Sequence, residues 1–177
     1  MKLLLAILFS LSCLAQSVPA VNSPISSWPL GAVPVWMKIT VTNSSTNFTV
    51  TCAPAIAACG TSPVAKAGAM VQSVVLVTPA VAFKLTDCLV KTGTQFAGPA
   101  TLTATVGITG TLTGCVSAAY NLEAAVSATN FGIPTLVTSA ASTNGTDSII
   151  LALTGATNIT NVSAGSVTVW IRLEYLP

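Results

Sequence analysis

The stretch that decides the fold is Ser163–Pro177, SAGSVTVWIRLEYLP. Val167, Val169, Ile171, Leu173 and Tyr175 alternate there with Thr168, Trp170, Arg172, Glu174 and Leu176. Successive side chains of a strand point to opposite faces, so this period of two predicts a half-buried β-strand. The same alternation runs through Val33–Thr42, where Val33, Val35, Met37, Ile39 and Val41 interleave with Pro34, Trp36, Lys38, Thr40 and Thr42. Both strands place a tryptophan near a cation on the face opposite the aliphatic stripe. A strand near a chain end stays ordered only when it is tied into a sheet, so 163–177 is expected to pair in the middle of one.

Working outward, Asn43-Ser-Ser-Thr46 reads as a turn, and Phe48, Val50 and Cys52 continue the alternation on a hairpin partner. Strands are expected near 70–78 and 80–87, across TLTATVGIT (101–109), and at IILAL (149–153) after the hairpin signal Asn144-Gly145. The segment VSAAYNLEAAVSA (116–128) admits a helix or a strand, and its neighbours favour strand. Gly107, Gly110 and Gly114 mark bends or bulges. Their spacing does not match a phosphate loop, and no Lys-Ser/Thr follows. Eight or nine short strands with Gly, Pro and Asn turns and no long helix predict an all-β protein, an antiparallel β-sandwich of jelly-roll-like form.

Composition narrows the role. Charged residues make up 6% of 177 and apolar ones 52%, while Ser and Thr supply about a quarter. Hydroxyls and amides must therefore cover most of the surface. The formal charge of +2 provides no basic stripe for nucleic acid. The first residues, MKLLLAILFSLSCLA, read as a secretory signal spanning 1–15: Lys2 is the basic n-region, and Leu3–Leu14 is an apolar run too short to cross a bilayer. Cleavage is expected before Gln16, with a second small-residue exit at Ala20 and a lipoprotein reading through Cys13 as alternatives. Residues 16–32 form a Pro- and Ser-rich lead-in, and 33–177 a single sandwich domain. The apolar run 68–83 contains Gln72 and Pro79, so it reads as two strands and no membrane span is expected in the exported chain.

With Cys13 removed, Cys52, Cys59, Cys88 and Cys115 remain, and an even count in an exported chain predicts two disulfides among three connectivities. Cys52–Cys59 with Cys88–Cys115 is the favoured set. Zinc is disfavoured, because histidine and CxxC spacing are both absent. The same lack of histidine removes the commonest general base. Asp87, Glu123, Asp147 and Glu174 are scattered without paired spacing, and no nucleophile elbow or Ser-x-x-Lys pair occurs. No enzymatic activity, cofactor or metal is expected. Trp36, Trp170 and Arg172 admit three readings: the tryptophans covered by the lead-in or a long loop, the group lining a subunit interface, or a sugar-stacking platform. Asn43, Asn47, Asn144, Asn158 and Asn161 head Asn-x-Ser/Thr sequons and are candidate glycosylation acceptors.

From about Thr101 onward the chain resembles uncharacterised small β-rich proteins of tailed bacteriophages and prophages. The matching features are TLTATVGITG, SAAYNLEAAVSATNF and the close TNVSAGSVTVWIRLEYLP, with its Val-x-Val-Trp strand and terminal Leu-Pro. The resemblance implies a virion- or tail-associated β-sandwich without catalytic residues. Its partners would be further copies of itself (a homo-oligomer) or other virion or surface proteins, with a cell-surface glycan as a further partner. Export, disulfides and hydroxyl-rich strands equally match a secreted bacterial surface adhesin or pilus-like subunit.

Overall fold

The computed structural model describes residues 35–53, 55, 59–124, 141–142 and 146–175. The expected signal peptide, the lead-in, the Asn144-Gly145 hairpin and the end of the 116–128 segment lie outside them. Val35–Asn43 (β1) and Asn47–Ala53 (β2) form the first hairpin, around the expected turn. Val64–Ala65 (β3), Val71–Val77 (β4), Phe83–Ala97 (β5), Leu102–Ile108 (β6), Thr111–Asn121 (β7), Ala141–Ser142 (β8), Ile149–Gly155 (β9) and Ala164–Tyr175 (β10) follow. Eight of these strands hold seven residues or more, and two are two-residue pairings. The 116–128 segment is strand as far as Asn121.

The strands stack as two antiparallel sheets, β3-β2-β1-β10-β5-β8 and β4-β9-β6-β7. Nested pairing explains the order. β1 pairs with β10, β4 with β9, β5 with β8, and β6 with β7, as if one long hairpin had been rolled up. That is the jelly-roll topology, with β2 and β3 widening one sheet. Over Val167–Leu173 the alternation is realised as expected: Val167, Val169, Ile171 and Leu173 are buried in one core cluster with Ile39, Val41, Cys88 and Leu151. β10 is hydrogen-bonded on both sides, to β1 and β5.

β7 begins at Thr111, through the expected bend at Gly114, and the short β3 and β8 were not expected, but β5 departs furthest. β5 runs on to Ala97, ten residues past the expected end near 87. Its period is broken at Thr86, where the register with β10 shifts, and further masked by Thr92 and Gly93. The bulge at Thr86 lets both Asp87 and Lys84 face outward. A second irregularity sits at Gly165, whose φ is +123°. A Cβ there would lie 2.3 Å from Cγ of Phe96, so only glycine admits both the backbone and the ring that packs on it.

Two seams remain where the sheets meet side by side, and each is closed by a disulfide. Along β5 and β7, Cys88 bonds Cys115 with Cα atoms 5.9 Å apart. Farther along the same seam, the Thr92 N–H donates to the Tyr120 hydroxyl at 3.3 Å, and the Phe96 N–H to the Leu122 carbonyl at 3.1 Å. Across the molecule, Cys52 on β2 bonds Cys59, which itself bridges to Val77 of β4. Gln72 completes that seam. Its Nε2 donates to the Ala65 carbonyl at 2.7 Å and its Oε1 accepts from the Ala67 N–H at 2.9 Å. Gln72 and Thr92 are the buried polar residues among those described, and both are satisfied where the sheets join.

Ile171 and Thr168 lie on opposite faces of one strand and should behave differently. Ile171→Ala is expected to cost about 2–5 kcal/mol by cavity formation. Thr168→Ala should cost under about 1 kcal/mol. Urea unfolding at constant m-value measures both.

Loop closure ranks the disulfides. On the chain-entropy model, the separations of 27 and 7 residues correspond to about 3.5 and about 2.4 kcal/mol. Cys88→Ser/Cys115→Ser should therefore lower the melting temperature more than Cys52→Ser/Cys59→Ser. Mapping of native protein should find no alkylatable thiol at these four positions. An equal loss in both pairs would refute the ranking.

Candidate functional site

The register of β1, β10 and β5 builds the candidate site. Trp36 stands opposite Arg172, which stands opposite Asp87; one step along, Lys38 stands opposite Trp170, which stands opposite Leu89. All six side chains leave the outer face of the six-stranded sheet. The next row is Thr51, Thr40, Thr168 and Lys91, followed by Thr49, Thr42, Ser166 and Thr94. Glu174 and Lys84 face each other at the opposite margin. Two indoles and two cations thus occupy the corners of a cross-strand square, with like on like diagonals. Such diagonal neighbours lie about 7–8 Å apart, within reach of long and aromatic side chains.

The charge distribution is lopsided. Of six basic and four acidic residues in the chain, Lys38, Lys84, Lys91, Arg172, Asp87 and Glu174 lie on this one face. Elsewhere among the described residues stand only Lys66, Glu123 and Asp147. The outer face of the four-stranded sheet carries Val71, Ser73, Val75, Thr103, Thr105, Ala152 and Thr154, with no charge. A chain this poor in charge has spent most of it in one place.

Trp36 is 50% exposed, and the lead-in expected as one possible cover for it lies outside the described residues. Trp170, set deeper between its cross-strand neighbours, is half-buried. Arg172 Nη1 donates to Asp87 Oδ2 at 3.2 Å, with both side chains about 40% exposed. An exposed pair of this kind orients the guanidinium more than it stabilises the fold. The contact engages one of five donors. Thr40 and Thr168 hydroxyls meet at 3.3 Å, fixing the adjoining row.

Of the residues singled out from sequence, Trp36, Trp170 and Arg172 come together here, and the four cysteines form the two seams. Lys38, Asp87 and Leu89 complete the cluster. Asp87 was legible only as a lone acid, because its opposition to Arg172 depends on a register shift at Thr86. Lys66, away from the face, donates to the carbonyls of Ser45 and Val162 and lies 5.7 Å from the Phe48 ring. Partial burial holds its ammonium below the usual lysine pKa. Asn158 and Asn161 are exposed beside the short 3-10 turn Ile159–Asn161, and Asn47 opens β2. Asn43 differs, for both its amide atoms are buried without a hydrogen-bond partner, which leaves no room for a glycan in the folded state. Asn144 lies outside the described residues. No group of three or more His, Cys, Asp or Glu side chains stands close enough to hold a metal among the described residues. No helix among them is long and apolar enough to cross a membrane.

Because Trp36 is exposed and its strand is pinned by core residues, Trp36→Ala should change the unfolding free energy by less than about 1 kcal/mol. Acrylamide should quench a substantial share of the native fluorescence, and that share should fall in the variant. A melting temperature lowered like that of Ile171→Ala would contradict the exposed placement.

No protein-family model matches the chain, and no curated protein matches it. Among solved structures, the fold is similar to a chain of the cyanophage Pam1 capsid asymmetric unit. The TM-score is 0.45 at 19% identity, covering 90% of this chain and 99% of that one. A likeness at this level says nothing about role.

Proposed function

We propose that the protein is a non-enzymatic binding or structural jelly roll associated with the virion or tail of a tailed bacteriophage. The observation that carries the binding role is the outer face of the six-stranded sheet, which gathers two tryptophans and six of the charged residues. Interfaces are enriched in tryptophan and arginine, and charge on a hydroxyl-covered protein marks where a partner is discriminated. The sheet behind it is a rigid mount, buried on one side and closed at both seams. Phage association rests on the resemblance of residues 101–177 to small phage and prophage β-proteins.

The two disulfides favour a second reading, a secreted bacterial surface adhesin or pilus-like subunit. Disulfides form and persist in oxidising compartments, which an exported chain reaches and a protein assembled in the cytoplasm does not. Either way the chain acts by contact and not by chemistry.

Fractionation separates the two. Particles banded on a density gradient from an induced culture should contain the chain, detected by mass spectrometry at a stoichiometry comparable to other minor structural proteins. Recovery only from the periplasm or from sheared surface appendages, with none in particles, would overturn the phage assignment and favour the adhesin.

A further inference from the structure

We infer that the Trp36–Lys38–Trp170–Arg172 face is a binding platform for an acidic polysaccharide carrying carboxylated sugars. This rests on the reading of the chain as a binding protein, but not on the choice between phage and adhesin. Three features of the face meet such a ligand. The two indoles, on one diagonal of the square, offer flat surfaces whose electron-rich faces attract the C–H edges of pyranose rings. The two cations, on the other diagonal, stand within reach of carboxylates borne by the same sugars. The rows of Thr40, Thr168 and Thr51, then Thr42, Thr49 and Ser166, extend alongside as neutral hydrogen-bonding groups matched to sugar hydroxyls.

Charge complementarity sets the sign. The face holds four cations against two carboxylates, and Asp87 is already engaged by Arg172. The geometry of Arg172 matters here. Asp87 holds the guanidinium through Nη1 alone, so the plane is oriented while other N–H groups stay available for a second oxyanion. A second copy of this chain is a poorer occupant. The other acidic residues described, Glu123 and Asp147, supply no acidic face to oppose the cations. The apolar content of the platform is Trp36, Trp170, Leu89 and Ala53, set among hydroxyls, whereas the core of a protein–protein patch is more apolar.

Affinity electrophoresis and calorimetry with the oxidised full chain test this, using polygalacturonate as the probe, dextran as a neutral control and polyglutamate as an anion without sugar rings. Polygalacturonate should bind, with affinity falling as salt rises, while dextran does not and polyglutamate binds more weakly. Trp36→Ala and Lys38→Met, both at exposed positions and expected to leave the melting temperature within a few degrees, should each weaken polygalacturonate binding about tenfold or more. Three results would overturn the inference: absence of binding, binding unchanged in both variants, or equal binding of polyglutamate. A concentration-dependent dimer in sedimentation that Trp36→Ala dissociates would also overturn it, in favour of an interface between copies. Absence of the chain from phage particles, by contrast, would remove the virion reading and leave this one standing.

Discussion

Everything described here depends on the ladder that joins Val35–Thr42 to Ser166–Leu173. It brings the first and last long strands of the domain together in the middle of the larger sheet, and it does so in one register. A slip of β10 by one residue would turn Val167, Val169, Ile171 and Leu173 out to water and drive Trp170 and Arg172 into the core. Burying the Arg172 charge while exposing the aliphatic stripe is costly enough to exclude that alternative. The hydrophobic stripe and the outer cluster are therefore two faces of one constraint. The residues proposed to bind also help to specify the pairing that displays them.

The second requirement is closure. A sandwich with exposed lateral edges leaves backbone groups unpaired and open to other chains. Here the long edge of β5 is covered by β8 over Phe83–Lys84, and β7 takes over beyond through Cys88–Cys115, Tyr120 and Leu122. On the opposite side, β4 is joined to β2 through Cys59 and Gly60 and to β3 through Gln72. In each seam the covalent bond is local, and the surrounding hydrogen bonds carry its effect along the strand. A surface with so few charges has little electrostatic protection against association, and closed edges compensate for that.

Strands with an uninterrupted period of two were legible in the sequence, namely β1, β2, β6 and β10, and so was the even cysteine count, though it left three connectivities of which Cys52–Cys59 with Cys88–Cys115 was only the favoured one. What failed was legible only in three dimensions. The extension of β5 was hidden because Thr86 is a bulge and because Thr92, a polar residue in a core position, is accepted there only for its link to Tyr120. Gln72 counted from sequence as an argument against a membrane span, yet its place is inside, made tolerable by two backbone partners on a neighbouring segment. The outer cluster was half visible. Each tryptophan was seen beside a cation on its own strand. That the two pairs are set corner to corner, with Asp87 behind Arg172, requires the register of three strands far apart in sequence.

The rolled-up pairing also dictates an order of assembly. β6 and β7 are joined by a short turn and can meet early, whereas β1 must wait for β10 to emerge before its inner residues find their partner. Loop closure over so much of the chain makes the final step slow compared with hairpin formation. During that interval Met37, Ile39 and Val41 are sticky and unshielded, and they lie in the part of the domain made first. The hazard in that interval is aggregation before completion, and it ends only when the last strand arrives to cover them.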